Sequence, residues 1–353
     1  MNPGPKMLCG RWLKTESVAR RTGVAAIGVV AFLTMPPALA DAFRLPANGD
    51  TVVGSLNMTT VPANARAVDV AQAYDQGYQE LKIANPGVDM IAHDTLAEVV
   101  VPSQYVLPDT PHEGIVINVP EMRLYYYPRP IQGQPAVVYT HPISIGREDW
   151  TTPHGVTKVT DKVKDPTWVP PASIRREHLR DWGEVLPAVV PPGPNNPMGL
   201  YKMKLGLPGY YIHGTDVDKI EGIGMRVTHG CIRMYPKDIE SLFSKVDVGT
   251  PVRIINQPIK MGRLRGALYL EAHPHLEEDP AAGQEQYDNV VSQLISVVGD
   301  APSEVDWNQI RSSIQLRNGI PVGIGQWYAP PVAQRAADAQ ADGATGESAS
   351  HVW

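Results

Sequence analysis

A solitary cysteine stands inside a run of residues that suits acyl-transfer chemistry. The run covers 228–233 and reads Thr-His-Gly-Cys-Ile-Arg, and its Cys231 is the only cysteine outside the first forty residues. The thiolate is the reactive form of cysteine, and a neighbouring imidazole or cation generates it near neutral pH. A thiol among histidine, glycine and arginine is therefore predicted to be a nucleophile; the alternative is a small buried apolar side chain.

His213 is the candidate general base for this nucleophile. It follows the run Gly-Tyr-Tyr-Ile at 209–212, which predicts a strand, and fourteen residues separate it from Thr228. A Cys–His pair within hydrogen-bond reach gives thiolate–imidazolium character and acyl transfer. No Asp or Asn stands out to orient the imidazole, so the carbonyl of Gly214 is the candidate. Gly230 is expected to leave a backbone N–H free for an oxyanion hole.

The other polar residues of the run allow more than one role. Arg233 keeps its charge and binds carboxylates in a fork, so it suits a substrate that carries one, or else forms a structural ion pair. His229 either orients a neighbour or takes part directly, and Thr228 either contributes its hydroxyl or only holds the turn. His213, His229 and Cys231 also offer three zinc ligands. A fourth ligand and an HExxH pattern are missing, so no metal and no cofactor are predicted.

The first forty residues predict an exported protein. A basic leader precedes an apolar run at 23–35, and Ala-Leu-Ala at 38–40 forms a small-x-small cleavage pattern. An apolar run of 13 residues is too short to span a bilayer, which favours a cleaved signal over a retained anchor. Its removal lowers the basic residues from 31 to 26 and the acidic ones from 37 to 36, a net charge of −10. That acidity argues against nucleic-acid binding.

Periodicity predicts a small α/β unit before a strand-rich domain. One helix is expected over 69–83, ending at Ala-Asn-Pro-Gly, followed by a strand over 95–101. Helix 237–246 is expected after Pro236. Long loops are expected at 166–176 and 187–199, and loops of this length in compact domains usually act as lids or walls. The strands are predicted at 115–119, 122–127, 136–145, 155–159, 209–212 and 252–255. Residues 281–328 are expected to be helical, and the tail from 332 disordered.

His-Gly-Thr followed by Thr-His-Gly-Cys-Ile-Arg resembles the signature of the L,D-transpeptidase (YkuD-type) catalytic domain. The resemblance covers about 114–257 and includes Thr-Pro-His-Gly at 152–155 and Ser-Ile-Arg-Arg at 173–176. The proline-rich run at 191–197 fits the periplasmic Gram-negative branch. This family often has serine where Thr228 stands, and the hydroxyl is kept. Separately, Leu81, Ala84, Asn85 and Pro86 match a pattern of the peptidoglycan-binding LysM module.

The resemblance implies a mainly β protein with a sandwich-like catalytic domain. The implied organisation is a signal peptide at 1–40, an α/β LysM-like module at 41–103, the catalytic domain at 114–257, a short helical C-terminal appendage at 258–331 and a disordered tail at 332–353.

The implied activity is that of a periplasmic enzyme acting on peptidoglycan tetrapeptide stems. Cys231 would attack the carbonyl of diaminopimelate, release the terminal D-alanine and form a thioester that an amine resolves; carbapenems would acylate the same sulfur. The amine belongs to a lysine of an outer-membrane lipoprotein or to another diaminopimelate. His213 corresponds to the base and Gly214 to the carbonyl that steadies it, while His229, Gly230 and Arg233 surround the nucleophile. The alternative is a non-catalytic or hydrolytic peptidoglycan-binding protein.

Overall fold

The described part of the chain is mainly β, as its strand-rich pattern predicts. The computed structural model describes residues 42–46, 49–62, 65–88, 97–279, 286–301 and 303–328, so the predicted signal at 1–40 and the predicted tail at 332–353 lie outside the described residues. The strands are β1 (Ala42–Arg44), β2 (Val52–Gly54), β3 (Asn57–Val61), β4 (Ala97–Val101), β5 (Gln104–Val106), β6 (Gly114–Asn118), β7 (Arg123–Tyr127), β8 (Val137–Gly146), β9 (Gly155–Lys164), β10 (Tyr201–Leu205), β11 (Tyr211–His213), β12 (Arg226–Thr228), β13 (Ile232–Met234), β14 (Pro251–Ile255), β15 (Ile259–Leu264), β16 (Ala267–Ala272), β17 (Ser303–Val305) and β18 (Val322–Trp327).

Six α-helices accompany these strands in the described residues. They are α1 (Ala67–Ala73), α2 (Tyr78–Ala84), α3 (Ala172–Trp182), α4 (Pro236–Lys245), α5 (Gln286–Val298) and α6 (Trp307–Leu316). Not one of the described helices is long and apolar enough to cross a membrane.

The central sheet closes on itself. Its strands follow the order β8, β13, β11, β10, β9, β14, β6 and β7, and β7 pairs back onto β8. Closure leaves no unpaired edge among these strands, so the sheet forms a barrel around one apolar core. Helix α4 packs onto this core through Ile239 and Leu242, which are both buried. The helix begins with Pro236 at its first turn, as predicted.

The N-terminal unit contains two helices where the sequence pattern predicts one over 69–83. The chain leaves α1 through Asp75, whose φ of +56° is left-handed. Helix α2 follows Gly77, whose backbone N–H donates a hydrogen bond to the Glu80 carboxylate at 2.8 Å. Glycine and a left-handed aspartate both disfavour a continuous helix. The two helices lie between the antiparallel strands β3 and β4 around a small apolar core.

A buried ion pair fixes this unit to the barrel. Glu80 of α2 accepts hydrogen bonds from Arg123 of β7 on both oxygens, at 2.7 and 2.8 Å. The Tyr235 hydroxyl also donates to the Gln76 carbonyl at 3.1 Å. Both charged groups are buried, so each depends on the other for compensation.

Glu80→Ala is expected to destabilise the protein by about 3–5 kcal/mol, because it leaves the Arg123 charge buried and unpaired. Urea unfolding followed by circular dichroism measures the change. The matched control is Glu221→Ala, which removes an exposed carboxylate partner of Arg66 and is expected to cost less than about 1 kcal/mol. Equal losses in the two variants would contradict the structural importance of the Glu80–Arg123 pair.

The C-terminal region is less helical than predicted. Helices α5 and α6 are present, but they pack on a four-stranded sheet with the order β15, β16, β18 and β17. The strand β18 reads Val-Gly-Ile-Gly-Gln-Trp, and its two glycines weaken the strand pattern in the sequence. Lys260 on β15 is buried between Glu121 and Glu271, at 2.8 Å from each.

Candidate active site

The candidate nucleophile and base lie on neighbouring strands of the barrel. β11 ends at His213, Cys231 immediately precedes β13, and the strands pair in parallel with Ile212 opposite Ile232. Both isoleucines are fully buried in the core. Because side chains alternate along a strand, His213 and Cys231 project on the opposite face from the isoleucines. They are therefore diagonal neighbours across the two strands.

His213 is buried and held as a neutral imidazole. Its Nδ1 lies 2.6 Å from the Gly214 carbonyl oxygen, which can only accept, so Nδ1 carries the proton and Nε2 keeps its lone pair. Burial, and then the charge of Arg233, lowers the pKa of His213 to about 3. The carbonyl of Gly214 thus occupies the position predicted for the group that orients the base.

Cys231 is partly exposed, and its thiol donates to the Gly209 carbonyl at 3.6 Å. Burial raises the pKa of the thiol, although the backbone N–H of Tyr211 and the Arg233 charge act in the opposite direction. With the imidazole pKa lowered as well, the resting pair is a neutral thiol beside a neutral imidazole. Burial thus disfavours the thiolate–imidazolium form that the sequence predicts for this pair.

The turn before the nucleophile is fixed by Thr228. Its hydroxyl donates to the Cys231 carbonyl at 2.6 Å and accepts from the Gly230 N–H at 3.1 Å. Gly230 has φ +96°, and a Cβ there would lie 2.7 Å from a ring carbon of Tyr210. The turn therefore requires glycine. The Gly230 N–H is already engaged, so it would have to release Thr228 before serving as the predicted oxyanion donor.

His229 bonds to a carboxylate that is not among the predicted zinc ligands. Its Nε2 lies 2.8 Å from Glu177, and its ring packs edge-on against Trp150 with centroids 5.0 Å apart. Arg147 binds the second oxygen of Glu177. Glu177 belongs to α3, which begins inside the segment 166–176 that was predicted to be a loop. His213, His229 and Cys231 thus bind three different partners, which argues against the zinc alternative.

Arg233 lies opposite His213 in the paired strands. Burial lowers its pKa, and the nearby carboxylate of Asp216 opposes that shift. Within the described residues its Nε is buried without a hydrogen-bond partner. A guanidinium with unused donor capacity next to the base suits a bound carboxylate.

A cleft of about 510 Å³ opens at Cys231. Both predicted long loops contribute to its walls, and two backbone hydrogen bonds between Trp168 and Val190, at 2.9 and 2.8 Å, join them. Arg175 and Arg176 of the Ser-Ile-Arg-Arg run are exposed on α3 and are not among the lining residues of this cleft. The lining residues are Trp150, Thr167, Trp168, Val169, Pro171, Ser173, Ile174, Met198, Lys202, Pro208, Gly209, Tyr210, Tyr211, His229 and Cys231.

Several residues of the candidate site cannot be predicted from the sequence alone. Glu177, Trp150 and Lys202 come from separate elements, and no motif links them to Cys231. In the sequence, Glu177 stands out only because it lies beside a basic stretch that contains tryptophan. Its pairing with His229 is visible only in the folded structure. Only the two halves of the site on β11 and before β13 are close enough in sequence to be recognised together.

Comparison with known proteins shows relatives over most of the chain. The model of the L,D-transpeptidase catalytic domain, YkuD, matches residues 112–254. The probable L,D-transpeptidase YbiS of Escherichia coli K12 is 41% identical over 306 residues, which cover 85% of this chain and 96% of the relative. The probable L,D-transpeptidase ErfK/SrfK of Salmonella typhimurium LT2 is 41% identical, covering 81% and 92%. The solved L,D-transpeptidase from Mycobacterium smegmatis is 18% identical with a TM-score of 0.31, covering 63% of this chain and all 100% of that one.

Proposed function

The chain belongs to the L,D-transpeptidase family, and we propose that Cys231 carries the acyl group in its reaction. The observation that supports this most directly is a cleft-exposed sulfur on the same sheet face as a buried imidazole with a free Nε2. The substrate is a peptidoglycan tetrapeptide stem, whose third residue is diaminopimelate.

In the first half-reaction the sulfur attacks the diaminopimelate carbonyl carbon. The thiol proton passes to Nε2 of His213 as the C–S bond forms, and the imidazole then gives it to the departing D-alanine amine as the C–N bond breaks. The N–H of Tyr211, which is directed at the sulfur, is the candidate donor to the oxyanion. In the second half-reaction an amine attacks the thioester carbonyl carbon and loses a proton to His213; as the C–S bond breaks, the imidazole returns that proton to the sulfur.

Substrate binding removes one of the two main causes of the low imidazole pKa of His213, while the larger cause, burial, remains. The Arg233 charge is the second cause of the low imidazole pKa. A diaminopimelate carboxylate bound to Arg233 neutralises that charge, so the imidazole pKa rises when the substrate is in place. The enzyme thereby keeps an unreactive thiol until a substrate with the right carboxylate arrives.

The acceptor is an amine, either a lysine of an outer-membrane lipoprotein or another diaminopimelate. The loops at 166–176 and 187–199 and the N-terminal unit resemble those of the lipoprotein-anchoring branches of the family. This resemblance favours the lipoprotein lysine as the acceptor. Two backbone hydrogen bonds between Trp168 and Val190 join the cleft walls. A stem peptide bound between these walls is expected to displace water from the thioester, which favours an amine over hydrolysis.

The reaction takes place in the periplasm after removal of residues 1–40. The strand–helix–helix–strand unit formed by β3, α1, α2 and β4 serves as the LysM-like part of a peptidoglycan-binding module at 41–103. The catalytic domain spans 114–257, and residues 258–331 form an appendage.

The decisive experiment offers the purified protein a disaccharide-tetrapeptide and two acceptors, a diaminopimelate-containing stem and a lipoprotein peptide with a C-terminal lysine. Mass spectrometry should detect D-alanine release, a thioester on Cys231, and a product joined to one acceptor. Release of D-alanine with water as the sole acceptor would establish the hydrolytic alternative. Binding to sacculi without release or thioester would establish a non-catalytic protein.

Glu177→Ala is expected to lower kcat/KM about 10- to 100-fold, because His229 and Arg147 both lose the carboxylate that holds the nucleophile loop against α3. The rate of carbapenem acylation, followed by mass, measures the effect. Glu184→Ala is the matched control, since Glu184 is exposed near the end of the same helix. The assignment fails if both variants acylate at the wild-type rate.

A further inference from the structure

Three metal-ligating side chains meet outside the active site. They are Asp75 between α1 and α2, His141 on β8, and Asp238 in the first turn of α4. Their exposed fractions are 1%, 1% and 0%. Buried carboxylates are costly unless hydrogen bonds or a cation compensate them.

That compensation is incomplete within the described residues. Both oxygens of Asp75, both oxygens of Asp238 and Nδ1 of His141 are buried without a hydrogen-bond partner. The His141 Nδ1 lies 3.9 Å from Asp75 and 3.6 Å from Asp238, which is beyond hydrogen-bond length. Lys237 approaches one oxygen of Asp75 at 3.2 Å, but its side chain is 49% exposed. One ligand atom from each of the three residues thus lies within 4.8 Å of the others, and none of these side chains satisfies another by a hydrogen bond.

A second buried cluster in the same protein shows what compensation looks like. Glu121, Glu271 and His273 also converge. There the ammonium group of Lys260 lies 2.8 Å from each carboxylate, and His273 bonds to Glu271 at 2.6 Å. A buried lysine thus neutralises the carboxylates of the second cluster. The first cluster has only Lys237, whose side chain is about half exposed.

We propose that Asp75, His141 and Asp238 bind one divalent cation of the zinc type. Ligand atoms about 2.0–2.1 Å from a tetrahedral zinc lie about 3.4 Å from one another. The three ligand atoms here lie within 4.8 Å of one another, so a small contraction seats the ion. Two carboxylates balance its charge, and a water molecule or a second carboxylate oxygen takes the fourth position.

The ligand set selects against the hard cations. Calcium takes six to eight oxygen ligands and magnesium a near-octahedral oxygen shell, whereas an imidazole with two carboxylates suits zinc and its transition-metal neighbours. Lys237 moves out to solvent when the ion binds.

Such an ion joins three parts of the fold. Asp75 belongs to the N-terminal unit, His141 to the barrel, and Asp238 to the helix that follows the strand next to the nucleophile. A buried site whose protein ligands come from several elements adds its binding free energy to folding. The site is therefore structural, and it lies apart from the cleft residues.

Metal analysis of the full purified protein tests this directly. Protein equilibrated with zinc sulfate and then dialysed should retain about one zinc per chain by mass spectrometry, and EDTA should lower its Tm. Cobalt(II) added to the stripped protein should give the visible absorption of a low-coordinate site. Retention of less than about a tenth of an equivalent, with no change of Tm on adding zinc, would overturn the proposal.

Three variants locate the ion. Asp75→Asn/Asp238→Asn keeps the shape of the cluster without its charge and should lose both the zinc and the effect of EDTA on Tm. Glu240→Gln removes an exposed carboxylate from the same helix and should keep both. Cys231→Ser should also retain the zinc; its loss there would move the ion to the active site and refute the assignment. None of these readouts depends on transpeptidation, so they separate this inference from the proposed function.

Discussion

Cys231→Ser is expected to abolish both D-alanine release and the mass adduct with a carbapenem, with a loss of at least about 10⁴-fold in kcat. A serine hydroxyl is far less acidic than a thiol, so the imidazole of His213 cannot take its proton as readily as it takes the thiol proton. Intact-mass spectrometry after incubation with the carbapenem measures the adduct, and chromatography measures released D-alanine.

The fold should survive this substitution, because Cys231 donates only one long hydrogen bond, to Gly209 at 3.6 Å. A Tm within a few degrees of wild type is the control that makes the loss of activity interpretable. An adduct of full stoichiometry in Cys231→Ser would assign the acyl group to another residue and remove the proposed nucleophile.

Local patterns made the barrel strands predictable. The run Ile-Val-Ile-Asn at 115–118 lies within β6, and the predicted strand at 136–145 is β8 with a shift of one residue at each end. β-Branched residues bounded by glycine and proline carry that information within a few positions. Helix α4 was predictable for the same reason, since Pro236 marks its start. The mainly β fold class is confirmed, and the barrel closure between β7 and β8 follows from pairing across the chain.

Three features depend on tertiary contacts that local patterns do not encode. The break between α1 and α2 places Gln76 and Glu80 where they bind Tyr235 and Arg123 of the barrel. Helix α3 has no buried residue, so it shows little apolar periodicity in the sequence. The four-stranded C-terminal sheet contains Lys260, whose burial only makes sense beside the glutamates that neutralise it.

Part of the candidate site is likewise predictable from the sequence, and part depends on tertiary contacts. Cys231 and His213 were recognisable from residue type and spacing, and the Gly214 contact of the base agrees with its predicted partner. The protonation state was not predictable, because burial and the Arg233 charge both arise from the fold. The Glu177 partner of His229 is not predictable for a similar reason, since the two residues are 52 positions apart in the sequence.

His213→Ala is expected to lower kcat for D-alanine release at neutral pH by about 10²- to 10⁴-fold, the range for loss of a general base. His154→Ala, which removes an exposed histidine, is the matched control and should keep wild-type activity. Near-normal turnover in His213→Ala would remove this residue as the base.

The pH dependence distinguishes a base from a structural residue. Protonation of the imidazole has a pKa of about 3, and ionisation of the thiol has a pKa above its ordinary value. The wild-type rate of carbapenem acylation should therefore be flat from about pH 5 to pH 8, without an inflection at the ordinary histidine pKa of about 6.5. In His213→Ala the rate depends on thiolate formed by solvent and should rise about tenfold per pH unit, so the deficit shrinks as pH increases. A deficit that stays constant from pH 6 to pH 9 would show that His213 supports the site without moving the proton.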